Sequence, residues 1–159
     1  MLSLVSISIL AQSPPVVQAF RADGEIRIDG IADEADWQKA LPICDFHQQF
    51  PSDTMLAVCQ TVVRVLYDEE FLYVQAEMAV KNEGDYVISS LRRDFDGDQS
   101  DAFFVYIDPF NDQLNGYSFG TNPEGVQVEG LIVNGGVFGT SNDWDCKWFV
   151  ETSRSTNSW

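Results

Sequence analysis

The densest run of ionisable side chains is Asp94-Phe95-Asp96-Gly97-Asp98-Gln99-Ser100-Asp101, where carboxylates alternate around a glycine. Hard oxygen ligands on a flexible turn suit Ca²⁺, so Asp94, Asp96, Asp98 and Asp101 form a candidate structural calcium loop. The closing Glu of an EF-hand is missing, which separates the run from that motif. The same composition also suits turn-forming Asp side chains that accept from backbone N–H groups. Asp108, Asn111 and Asp112 make a second acidic turn of this type. The other candidate is Trp144, with Asn142, Asp143 and Asp145 beside it. A flat aromatic face meets the apolar C–H face of a sugar, and polar neighbours meet its hydroxyls. Tyr117 and Tyr86 could wall such a platform, and Asn122 and Arg93 are further ligand-binding candidates. The competing role for Trp144 and Trp148 is packing under a loop, as large aromatics usually do. Arg92 and Arg93 are expected to pair with Asp94 or Asp101 at a strand entrance.

Catalytic chemistry finds no such focus. Carboxylates are plentiful, but no spacing picks out an acid–base pair. There is no Ser/His/Asp arrangement, phosphate-cradling glycine loop or HExxH. The domain therefore reads as non-catalytic.

These candidates need a scaffold, and the patterning supplies strands. Glu25-Ile26-Arg27-Ile28 alternates like a strand and runs into the turn Asp29-Gly30. Asp33 to Lys39 predicts a short helix, capped by Asp33 and stopped by Pro42, with Trp37 and Leu41 on one face. Thr61 to Tyr67 and Phe71 to Val80 flank Asp68-Glu69-Glu70 and predict a hairpin. In its second arm Leu72, Val74, Ala76 and Met78 should be buried, and Tyr73, Gln75 and Glu77 wet. Val87 to Leu91 is a shorter strand, and Ala102 to Ile107, apolar on both faces, a central one. Gly116 to Thr121 and Val126 to Leu131 are joined by the turn Asn122-Pro123-Glu124-Gly125. Trp148 to Thr152 is a last strand. Many short strands with one short N-terminal helix predict an all-β, antiparallel β-sandwich, jelly-roll-like.

The chain has 159 residues, room for one domain, and a formal net charge of −16. That charge repels phosphate backbones, so no nucleic acid is expected as partner. The three cysteines, Cys44, Cys59 and Cys146, leave an odd thiol; a Cys44–Cys59 bridge is one option. Residues 1–12 open on the apolar run MLSLVSISILA and resemble the remnant of a signal peptide, which predicts export to the periplasm, outer membrane or cell surface. After Trp159 one or more strands are expected to be missing, which would leave an unpaired edge.

Several of these segments together resemble a known family. Ile28-Asp29-Gly30 with Asp33-Glu34 and Trp37, then Tyr67-Asp68 with Leu72-Tyr73-Val74, resemble the first two signatures of family 9 carbohydrate-binding modules. Arg93-Asp94, Asp98 and Ser100-Asp101 leading into Phe103 to Asp108 resemble the third. Tyr117 to Gly125 and Trp144-Asp145 through Trp148 resemble the branch found at the N-terminus of bacterial outer-membrane barrel proteins. The resemblance spans 20–159. It implies a β-sandwich, export, calcium, carbohydrate as partner in polysaccharide breakdown, and a membrane barrel C-terminal to the domain in the parent chain. It also implies a departure. Sugar-binding members hold a clamp Trp, a Glu and an Arg where this sequence has Asp98, Phe104 and Gly120, and their second clamp Trp would fall beyond Trp159. An extracytoplasmic structural or gating head that binds no sugar is the alternative.

Overall fold

The computed structural model describes residues 16–52, 54–82, 84, 86–137 and 139–159. The expected signal-peptide remnant at 1–12 lies outside them. The chain is all-β, with its strands in two sheets. The first sheet has the order β1-β2-β3, from Phe20–Arg21, Thr61–Tyr67 and Leu72–Met78. The second has the order β4-β5-β6-β7, from Phe103–Ile107, Gly116–Thr121, Gln127–Ile132 and Thr140–Ser141. All pairs are antiparallel except β1 with β2, which is parallel.

The β2–β3 hairpin forms as its alternation predicts, with Val65 opposite Val74. Asp68 closes it by accepting from the N–H groups of Glu70 and Phe71 and from the Tyr73 hydroxyl. The faces of β3 depart from expectation. Tyr73 packs on the buried cluster of Ala22, Ile26, Trp37, Ala40 and Leu66, whereas Leu72 is 53% and Val74 36% exposed. A phenol can bury its ring and keep its hydroxyl bonded, so the aromatic rather than the aliphatic face was taken into this core.

The α-helix α1 (Ala35–Lys39), the single one among the described residues, is shorter than expected. Asp33 does not cap it; Glu34 holds the N-cap position without a side-chain cap bond. The carboxylate of Glu34 accepts instead from the Trp37 indole at 3.1 Å and from the Arg27 N–H at 3.0 Å. Trp37 is buried, but Leu41 falls after the helix and is exposed, so i,i+4 spacing no longer relates them. Asp36, also buried, accepts from the backbone N–H groups of Asp23 and Gly24 and from Lys39 Nζ.

Three expected strands form no strand ladder: Glu25 to Ile28, Val87 to Leu91 and Trp148 to Thr152. Each carries β-branched residues but lacks a full-length neighbour to exchange hydrogen bonds with. The Phe- and Val-rich β4, expected to be central, sits at the edge of its sheet. Its apolar second face is accounted for locally: Phe104 lies over Gly120 and Gly97 and beside Phe95.

Candidate functional site

The register of β5 and β6 sets Tyr117 opposite Leu131, Phe119 opposite Glu129 and Thr121 opposite Gln127, all on one face of the sheet. The segment 142–148 crosses that face. Trp144 lies 4.9 Å from Tyr117, ring centre to ring centre, and 6.1 Å from Phe119; Trp148 lies 5.5 Å from Phe119, edge to face. Such tilted and edge-to-face contacts are the favoured arrangements of aromatic quadrupoles. Tyr117 and Trp144 are half-buried, so part of each ring faces solvent.

A carboxylate anchors this aromatic group. Glu129, with a side chain 1% exposed, accepts from the Trp148 indole N–H at 3.0 Å and from the Arg93 guanidinium. Arg93 also reaches Asp145 at 2.8 Å and Gln127 at 3.2 Å. Burial pushes the Glu129 carboxyl upward, but the indole donor and the guanidinium outweigh it and hold the group below the usual glutamate value. Arg93 is raised in turn, chiefly by its bond to Glu129. The result is a paired, ionised carboxylate under a partly open aromatic pair, with the exposed Asp145 at its rim.

The site residues expected from sequence divide accordingly. Trp144, Tyr117 and Arg93 come together, although Arg93 takes Glu129 and Asp145 as its partners and not Asp94 or Asp101. Asn122 is fully buried in the β5–β6 turn. Its Oδ1 accepts from the N–H groups of Glu124 and Val126, and its Nδ2 donates to the Ser90 carbonyl. Tyr86 stands elsewhere, beside Arg154 and Ser158. Sequence reasoning missed Glu129, which follows Val128 in β6. Both are buried, because 142–148 covers the second face. The available signal was an acid in mid-strand with a cationic Arg and an indole donor elsewhere in the chain.

Two carboxylates of the acidic run, Asp96 and Asp101, accept from backbone N–H groups. Asp96 accepts from the Asp98 N–H at 3.0 Å and from Gln99 Nε2 at 2.6 Å, and starts a 3₁₀ turn at Gly97–Gln99. Asp101 accepts from the Val87 N–H at 2.9 Å. Asp94 takes a left-handed φ of 62° and donates its N–H to Gln127. Among the described residues no three His, Cys, Asp or Glu side chains converge to hold a metal ion. Cys44, Cys59 and Cys146 are free thiols. No helix of the described residues is long and apolar enough to cross a membrane.

Comparison with protein-family models, with curated proteins and with solved structures finds no match to this chain.

Proposed function

We propose that residues 20–159 form a non-catalytic carbohydrate-binding domain of an exported bacterial protein linked to polysaccharide breakdown, its two sheets packed as a jelly-roll-like sandwich. The observation that carries this reading is the half-open Tyr117–Trp144 pair with Arg93 and Asp145 beside it. The two tilted rings offer an apolar floor to a pyranose ring, while a guanidinium and a carboxylate offer a donor and an acceptor to its hydroxyls. The electrostatics favour binding over hydrolysis. A general acid at neutral pH needs a carboxyl pushed up towards 6 or 7, as a rough guide. Glu129, the buried acid of the group, is held in the opposite direction.

A glycan array probed with the protein and with Trp144→Ala tests the reading. Retention on a subset of glycans, lost in the variant while its melting temperature holds, is the expected result. Silence of the folded protein across soluble glycans overturns it and leaves the structural head of an outer-membrane protein as the better description.

A further inference from the structure

Arg93 serves two acids through one nitrogen. Its Nη2 donates to Glu129 and, at 2.8 Å, to Asp145 Oδ1, while Nη1 goes to the uncharged Gln127 amide at 3.2 Å. One cation against two carboxylates leaves this group with an excess negative charge. Burial decides where the excess is felt. Glu129 is buried, with its other oxygen on the Trp148 indole, whereas the Asp145 side chain is 86% exposed. No donor among the described residues bonds Asp145 Oδ2. Lys147, two residues further on, does not supply one: its ammonium lies over the Phe149 ring, 5.2 Å from the centre.

The unbalanced carboxylate belongs to the open aromatic pair. Asp145 follows Trp144 in the chain, and Trp144 and Tyr117 each keep a solvent-facing part of their rings. A ring face attracts a cation through its quadrupole, and an exposed carboxylate attracts the same cation by Coulomb force. The formal charge of −16 adds a long-range field of the same sign. All three act against an anionic ligand and in favour of a cationic one. Two tilted rings with centres 4.9 Å apart form a floor that a pyranose ring covers more fully than the thin methylene stem of a lysine does.

We infer that this site takes an amino sugar with a free, protonated amine, carried on a short glycan. The inference rests on the carbohydrate-binding reading above and adds the charge of the ligand to it. The pyranose lies on Trp144 and Tyr117, and its ammonium donates to Asp145 Oδ2, which completes the charge balance that Arg93 leaves short. N-acetylation removes the ligand's charge and a uronic acid reverses it, so both bind more weakly.

The probe is the β-1,4-linked trisaccharide of glucosamine, titrated calorimetrically into the whole protein in about 0.15 M salt near pH ~6, where the amine is charged. Its fully N-acetylated counterpart, cellotriose, trigalacturonate and trilysine are run beside it. The free amine should bind about tenfold more tightly than the acetylated and neutral trisaccharides, from one exposed ion pair and one cation–π contact, and the acid should bind weakest. Asp145→Asn should cut that preference to about twofold, the cation–π share, with affinity for cellotriose unchanged. Glu69→Gln removes a charge from an equally open carboxylate in the β2–β3 turn and should leave the preference intact. N-acetylation makes the same test from the ligand side and leaves the protein untouched. Equal affinity for the free and acetylated trisaccharides, or a preference that Asp145→Asn does not reduce, overturns the inference and leaves carbohydrate binding standing. A preference lost equally in Glu69→Gln assigns it to the overall charge of the chain, and trilysine binding as tightly assigns the site to basic peptides. Either result also overturns it. Binding of no glycan at all overturns both readings.

Discussion

The indole Nε1 of Trp148 donates to Glu129 Oε2 at 3.0 Å, so a carboxylate that burial alone would neutralise stays charged beneath the β5–β6 face. The same indole ring packs edge-on against Phe119. One side chain thus serves both the apolar cover and the polar anchor of the aromatic group.

Trp148→Phe keeps the ring packing and deletes the donor. It should cost about 1–3 kcal/mol in urea denaturation, the range for leaving a buried acceptor short of a bond. Combining it with Glu129→Gln should cost less than the sum of the two single changes. Strict additivity would show that the bond does not couple them.

Arg93→Ala strands Glu129 without its cation. A fully buried pair broken in this way costs about 3–5 kcal/mol; Arg93 is nearly half exposed, so water screens part of the loss and about 2 kcal/mol is expected. Arg93→Lys should recover only part of it, since a point charge cannot fork between Glu129, Asp145 and Gln127. Urea midpoints of the three proteins check the order.

Acid should weaken the fold in a stated direction. The Lys39 ammonium, with the Gly24 and Asp23 N–H groups, holds Asp36 at about 2, and Glu129 also lies below its ordinary value. A carboxyl with a depressed native pKa contributes stability that is complete above its unfolded value and disappears as pH falls through the native one. The urea midpoint should therefore be flat near neutrality and decline from about pH 4 towards 2. Asp36→Asn should lower stability at neutral pH and make that decline shallower; an unchanged slope would remove Asp36 from the account.

Gly120→Ala places a methyl into the Phe104 ring, which lies directly over that position. Overpacking of this kind costs about 1–3 kcal/mol. Phe104→Leu in the same chain should return part of the loss, measured as the recovery in thermal midpoint.

Much of the strand order was legible because its signals are local. The β2–β3 hairpin follows from alternation around Asp68, and β5–β6 from Asn122-Pro123-Glu124-Gly125, where Asn122 stitches the turn from within. What failed depended on distant partners. Glu25 to Ile28 has the pattern of a strand, but the ladder position beside β2 goes to Phe20–Arg21, with Ile43 bridged to Val63 on the same strand. The choice of Tyr73 over Leu72 for the core was set by Trp37 and Leu66, which alternation within β3 cannot report. At the site, an aromatic near polar residues was visible in the sequence. The partners of Arg93 were not, because they lie 36 and 52 residues away.

Ser153 donates its hydroxyl to the Gly30 carbonyl at 2.5 Å across a separation of 123 residues, and Met78 and Trp159 exchange a backbone rung. Synthesis delivers these partners at very different times. A nascent chain holds the Gly30 loop and the Trp37 core early, and their cover arrives only when 149–159 clear the ribosome. Contacts this non-local are slow to close. Until then the growing polypeptide carries a bare apolar hairpin, so chaperone capture during translation should concentrate on β2 and β3.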